Sequence, residues 1–282
     1  MQYILKRGYV LMLDILGFRE AVSKRSYYDD EDNFFNIWKS INESITQTKD
    51  KLLNDTLEIF DIDFLCFSDT IIICISLASD LITTYEDKYL IAYLAEIINS
   101  FFQFQMIENK IFFRGAISYG EYSFSAEQNI VMGDAIDEAS EWYDKVDWIG
   151  IILTPSAEYA VEMYLNIDYK YIRYKGIKKE IQEEIEEEIE EEIEEGIKNE
   201  QKTIKNSFHK YYKIPFKPGI PNICHYAYSW FDLSPDINKR REEWVVILYL
   251  FSNQKQSIKY SNKYSNTLDY VHYLLFETDD II

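Results

Sequence analysis

The chain has 282 residues, 47% hydrophobic and 16% aromatic, enough to bury one sizeable core, so one large domain with an insertion is expected rather than two independent domains. A formal charge of −20 excludes a protein that coats polymeric nucleic acid, because phosphate backbones are held by clustered Lys and Arg. A single mononucleotide stays open, since metal ions and a few basic side chains can neutralise a triphosphate locally.

The N-terminal run MQYILKRGYVLMLDILGF is apolar but broken by Asp14 and followed by no small-residue cleavage site, which makes it a buried strand and not a signal peptide. No stretch approaches the roughly eighteen uncharged residues of a membrane span, so no membrane partner and a cytoplasmic location are expected. No sensory segment precedes Tyr9, which suits an activity triggered from outside this sequence. Tyr9 to Leu13 reads as a central strand feeding a turn at Gly17. From Asn33 to Lys51, the residues Phe35, Ile37, Trp38, Ile41 and Ile45 fall at helical spacing. Leu57 to Phe67 and Thr70 to Ser76 are apolar runs separated only by Ser68-Asp69, the pattern of a β-hairpin with an acid at its tip.

A helix is predicted from Tyr89 to Met106, a strand from Ile111 to Ser118, a helix from Gly133 to Asp144 and a strand from Ile149 to Leu153. Thr154-Pro155 then starts another helix, with Thr154 as N-cap and Pro155 at the first position. Ile223 to Trp230 reads as a late strand. The β-α-β-β-α-β order with later additions predicts an α+β, ferredoxin-like or palm-type sandwich. Cys66, Cys74 and Cys224 read as free buried thiols, and His209, His225 and His272 as packing residues.

Residues 177 to 200 depart from this pattern. Ile177, Ile181, Ile185, Ile189, Ile193 and Ile197 repeat every fourth residue, so on a helix of about 3.6 residues per turn the apolar stripe spirals instead of forming one seam. The segment carries 12 acids and 3 lysines. It reads as a low-complexity acidic helical arm, with a coiled-coil contact as the alternative. The expected division is therefore a core domain over 1–165 and 205–282, with an acidic helical insertion over 166–204.

Two acids carry the chemistry. Asp14 ends a central strand and is followed by Ile15, Leu16, Gly17 and Phe18, where a glycine lets backbone amides approach a phosphate at the start of a helix. Asp69 sits at a hairpin tip and meets Asp14 if the two strands are neighbours. Each interrupts a strongly apolar run, which is costly unless something positive lies between them. No Lys or Arg is close to either in sequence, so a hard divalent cation, Mg²⁺ or Mn²⁺, is the economical partner.

With these residues in hand, the sequence resembles the class III nucleotide cyclases. Their first strand carries an Asp-x-x-Gly-Phe motif, matched by Asp14, Gly17 and Phe18, and their second metal-binding Asp lies in a hairpin, matched by Asp69. Arg114-Gly115-Ala116-Ile117-Ser118-Tyr119-Gly120 is similar to the family's Arg-x-Gly-Ile-x-x-Gly strand, Gly133 to Ser140 to its next helix, and Ile149 to Ser156 to the strand and turn beyond. Tyr212 to Trp230 would be the closing hairpin. Phe216-Lys217-Pro218-Gly219 is similar to a turn whose lysine contacts the triphosphate, with Tyr174-Lys175-Gly176 a rival match.

The resemblance implies two metal ions held by Asp14, the Ile15 carbonyl and Asp69. It also implies a ribonucleoside triphosphate substrate contacted by Ile15 to Phe18 and Lys217, a 3′,5′-cyclic nucleotide and pyrophosphate as products, and a homodimer with shared active sites. The match fails where the family presents a transition-state Asn and Arg: here stand Asp137 and Glu141, which would repel developing negative charge. Arg114 or a basic residue of a partner subunit would have to supply the positive charge. Leu65 and Ile130 stand where purine-selecting residues are expected, leaving pyrimidine or purine open. Members departing in this way include bacterial pyrimidine cyclases of anti-phage signalling. A cyclase-fold nucleotide-binding or scaffold protein without turnover is the competing reading.

Overall fold

A computed structural model of the protein describes residues 5–16, 34–55, 60–78, 90–107, 111–125, 127–166, 195–196, 198–199, 201–229, 237–252 and 261–277. The elements are β1 (Lys6–Ile15), α1 (Phe34–Asp55), β2 (Phe60–Phe67), β3 (Thr70–Leu77), α2 (Leu90–Ile107), β4 (Phe113–Ser125), β5 (Ile130–Met132), α3 (Asp134–Trp142), β6 (Gly150–Leu153), α4 (Pro155–Leu165), β7 (Phe208–Lys210), β8 (Tyr226–Tyr228), α5 (Ile237–Ser252) and α6 (Ser261–Phe276). Among the described residues no helix is long and apolar enough to cross a membrane.

The strands form one eight-stranded sheet in the order β2-β3-β1-β4-β6-β8-β7, with β5 pairing on the far part of β4. Its first four strands, antiparallel throughout and linked by α1 and α2, have the ferredoxin-like connection expected for an α+β sandwich. β6 then adds parallel to β4, and β8 and β7 follow antiparallel.

β1 lies at the centre and is buried on both faces, which is why its sequence reads as a continuous apolar run. Tyr9, Leu11 and Leu13 point into the larger core with Ile41 and Ile45 of α1 and Leu90, Leu94 and Ile98 of α2. Val10 and Met12 point the other way, against Ala135, Ile136 and Ala139 of α3. Burying each such large side chain stabilises the fold by about 1.5–3 kcal/mol. Gly115 allows β4 to lie close beside β1, since a Cβ there would come within 2.6 Å of the Met12 carbonyl oxygen.

The expected hairpin, helices and strands from Tyr9 to Leu165 are present, with ends shifted by a few residues. Three details differ. The closing hairpin pairs Phe208–Lys210 with Tyr226–Tyr228, so it opens before Tyr212, and the late strand is shorter than Ile223 to Trp230. Thr154 precedes α4 with extended backbone but makes no capping bond through its side chain. Its Oγ1 lies 3.2 Å from Ser156 Oγ instead, and Ser156 in turn bonds the Glu138 carboxylate of α3. Helices α5 and α6, absent from the sequence expectations, pack Ile247, Phe251, Val271 and Leu275 into the larger core.

Within the expected acidic arm, residues 195–196 and 198–199 are helical, and the rest of that segment lies outside the described residues. Gly17, Phe18 and the rival Tyr174-Lys175-Gly176 match lie outside them too. Cys66, Cys74 and Cys224 are free thiols. Burial lifts Cys66 to about 12.

Candidate functional site

β1 ends at the site because its register places Asp14 beside Thr70 of β3 on one side and Arg114 of β4 on the other. Side chains alternate along a strand, so Asp14 shares the face of Val10 and Met12, the α3 side of the sheet. One residue on, the Ile15 N–H donates to the Asp69 carbonyl at 2.9 Å and the Leu16 N–H to the Phe112 carbonyl at 2.9 Å. Asp69 occupies the two-residue turn between β2 and β3, which Ser68 closes with a positive φ of 55°. The two expected carboxylates thus sit on adjoining strand ends, as the sequence predicts.

Asp14 also has a cation from the chain itself. Arg114 Nε donates to Asp14 Oδ2 at 2.8 Å, although the two residues are 100 positions apart. No Lys or Arg is close to Asp14 in sequence, but strand pairing supplies one from β4. Burial lifts the Asp14 carboxyl above its ordinary value, Arg114 pulls it back, and the charges of Asp69 and Asp144 push it up again.

Arg114 does not stop at Asp14. Its Nη1 lies 2.6 Å from Asp144 Oδ1, and Asp144 Oδ2 lies 2.8 Å from Lys217 Nζ. The guanidinium also stands over the Tyr143 ring, 5.7 Å from its centroid. Burial would raise the Asp144 carboxyl, but Lys217 and Arg114 together outweigh it and hold it below the ordinary range. Behind this chain, Lys263 of α6 is buried 3.3 Å from Asp147 Oδ1, an ion pair outside hydrogen-bond geometry. Burial lowers its pKa, and repulsion from Arg114 lowers it further.

The structure therefore brings Asp14, Ile15, Leu16, Asp69, Arg114 and Lys217 to one end of the sheet. Asp137 and Glu141 are not part of this group. Both are exposed on α3, and Glu141 is tied to Lys145 at 2.7 Å. Leu65 packs on the core beneath α3, and Ile130 is half-buried on β5.

Asp144 and Lys263 escaped the sequence reading, yet Asp144 left a signal. It lies just past the C-terminus of α3, where a carboxylate is disfavoured by the helix dipole unless a cation answers it. Lys263 left none, because nothing in the sequence placed α6 behind the site.

The donors present fit a hard divalent ion. Among the described residues Asp69 carries no hydrogen-bond or ion-pair partner for its carboxylate, and only one oxygen of Asp14 is engaged. No group of three or more His, Cys, Asp or Glu among the described residues is arranged to hold a metal unaided. Two carboxylates completed by substrate phosphates and water are the usual Mg²⁺ arrangement.

No protein-family model and no curated protein matches the chain. Among solved structures it is similar to the adenylyl cyclase CyaB from P. aeruginosa, at 12% identity over 83% of this chain and 100% of that one, with a TM-score of 0.43. It is also similar to the catalytic core of a rhodopsin-guanylyl cyclase with converted specificity, in complex with ATPαS, at 14% identity over 62% of this chain and 94% of that one (TM-score 0.41). A dimeric guanylyl cyclase domain of the RhoGC fusion protein from the aquatic fungus Blastocladiella emersonii matches at 14% identity over 57% of this chain and 88% of that one (TM-score 0.38). The α+β fold built around β1 is thus similar to structures of adenylyl and guanylyl cyclase domains.

Proposed function

We propose that the chain is a divalent-metal-dependent nucleotidyl cyclase, which joins the 3′-oxygen of a ribonucleoside triphosphate to its α-phosphorus and releases pyrophosphate. The observation that carries this reading is the meeting of Asp14, at the tip of the central strand, with Asp69 in the adjoining turn, locked by the Ile15 N–H bond to the Asp69 carbonyl at 2.9 Å. Bound there, two Mg²⁺ or Mn²⁺ ions would lower the pKa of the attacking hydroxyl and offset the charge growing on the phosphates.

The chain's own residues do the rest. Asp14, the Ile15 carbonyl and Asp69 would hold the ions, and Arg114 fixes the Asp14 carboxylate through one oxygen, the other having no partner among the described residues. Lys217 pairs with Asp144 on the side away from Arg114, and its ammonium would bear on the departing pyrophosphate. The apolar Leu65 and Ile130 select no purine by charge, so a pyrimidine nucleotide is as good a substrate as a purine one. A cyclic pyrimidine product would act as a second messenger of the anti-phage kind. A second copy of the chain, docked head to tail, would bring α3 with Asp137 and Glu141 against its partner's nucleotide.

The test is incubation of purified protein with ATP, GTP, CTP or UTP and Mn²⁺, with cyclic product read by mass spectrometry. Product from at least one nucleotide, lost in Asp14→Asn and Asp69→Asn, is the expected result. Binding without product from any of the four would favour the second reading, a nucleotide-binding protein without turnover. Asp137 and Glu141 favour that reading, because two carboxylates stand where stabilising groups are expected and Glu141 is already engaged with Lys145.

A further inference from the structure

Asp144 bridges two cations drawn from distant parts of the chain. One oxygen faces Arg114 Nη1 at 2.6 Å and the other faces Lys217 Nζ at 2.8 Å. Both cations are well held. Lys217 N–H donates to the Lys145 carbonyl at 2.8 Å, Asp147 N–H to the Pro215 carbonyl at 2.7 Å, and Asn266 Nδ2 to the Asp147 carbonyl at 2.7 Å, so the 144–147 and 215–217 loops are fixed to each other and to α6. Lys263, buried next to Asp147, adds a third positive charge behind them.

The carboxylate itself is the loose member. Its side chain is 52% exposed, against 15% for Arg114 and 38% for Lys217. Its position past the end of α3 gains nothing from the helix dipole, so the two cations are what keep it there. Two oxygens of one anion spanning a guanidinium and an ammonium is also how a phosphoryl group is gripped.

We propose that Asp144 is a tethered counter-ion occupying an oxyanion subsite made by Arg114 and Lys217, and that a polyphosphate binds by displacing it. The subsite takes the terminal phosphates of a polyphosphate chain, free or carried on a nucleoside. Displacement leaves Asp144 in solvent, where its exposure already puts one side of it, and frees Arg114 to hold the ligand while still bonded to Asp14. Asp144 thereby sets a threshold: weak monoanions fail to compete with it, and a polyanion succeeds. The proposal rests on the reading of this end of the sheet as a triphosphate site, but it is tested without nucleotide or metal.

Binding of inorganic triphosphate is measured by calorimetry in the presence of a chelator. Asp144→Asn, and Asp144→Ser as a second variant should the first fold poorly, are expected to tighten binding about tenfold, the factor corresponding to roughly 1.4 kcal/mol of released competition. Adding Lys217→Ala to either should reverse the gain. Glu162→Gln removes the same charge at a remote pair with Lys210 and should leave affinity within twofold. Unchanged affinity in both Asp144 variants, equal tightening in Glu162→Gln, or no triphosphate binding by any form would overturn the proposal. A second arm repeats the titration with each nucleoside triphosphate: equal gains identify the phosphates as the recognised group. Tightening without any cyclic product would leave the subsite standing and sink the cyclase reading instead.

Discussion

Strand β1 carries a charge cluster at each end, on the same face of the sheet, and the two are built on different plans. At its start, Lys6 reaches across β3 to Asp61 at 3.1 Å and Asp63 at 2.7 Å, both on β2. Burial would lower the Lys6 ammonium's pKa, but the two carboxylates together outweigh it and raise it. Sheet register alone assembles this group, whose members all come from two strands, β1 and β2. At the other end, Asp14 joins Arg114 of β4, Asp144 after α3, Lys217 of a late turn and Asp69 of the hairpin, and Asp69 has no partner among the described residues. A cluster closed within two strands braces the sheet. One gathered from five places, with a spare carboxylate, retains capacity for a ligand.

The difference predicts opposite responses to mutation. The largest effect is expected for Asp69→Ala and Asp14→Ala, which should cut cyclic-nucleotide formation by at least about 100-fold while circular dichroism and thermal unfolding show an intact fold. The double variant should be no worse than either single, because the pair acts as a unit. Retained product in either single variant would erase the distinction between the two ends.

Lys6→Met should do the reverse. Asp61 and Asp63 then face each other without a cation, costing about 1–2 kcal/mol by denaturant unfolding after allowance for their partial exposure, with turnover within about twofold of the parent. A large loss of activity at unchanged stability would show that the Lys6 end also serves the site.

A smaller effect, away from both ends, separates the pH response of the fold from that of the site. His209 is buried on β7 and donates through Nε2 to the Asn206 carbonyl; burial holds its pKa below the ordinary 6.5, despite that bond. The unfolded chain therefore takes up a proton that the folded chain refuses. Stability should fall as pH drops below about 6.5 and level off below the depressed folded value. His209→Gln should flatten that slope in unfolding curves taken between pH 7.5 and 5.

Much of this arrangement was legible in the residues. A buried strand interrupted by a carboxylate, and a second carboxylate in a turn too short for anything but a hairpin, placed Asp14 and Asp69 correctly. Arg114 was visible as a residue but not as Asp14's partner, because the pairing depends on strand register across 100 positions. The last two helices were hidden for another reason. In α5 the inward stripe is the buried Arg240, Ile247 and Phe251 with the partly buried Trp244, while Val245, Val246, Leu248 and Tyr249 of the same apolar run are exposed, so hydrophobicity alone shows no helical period. Without α6, neither Lys263 nor the backing of the 144–147 loop could be foreseen.

The smallest expected effect concerns the acidic insertion. The described residues on either side of the insertion meet, for the buried Gln201 Nε2 donates to the Tyr164 carbonyl at 3.2 Å. Replacing 177–200 by a short Gly/Ser linker should shift stability by less than about 1 kcal/mol, and loss of soluble expression would show that the segment packs on the core.

That hydrogen bond ties the two flanks of the insertion, Tyr164 and Gln201, to each other. Closure entropy grows only with the logarithm of length, so adding or removing one four-residue Ile-Glu-Glu-Glu unit changes the folding free energy by about 0.1 kcal/mol. Repeat number at this point is therefore almost invisible to selection on stability. Slippage of a repetitive coding tract can lengthen or trim it freely, and only whatever the insertion touches outside its own domain would restrain it.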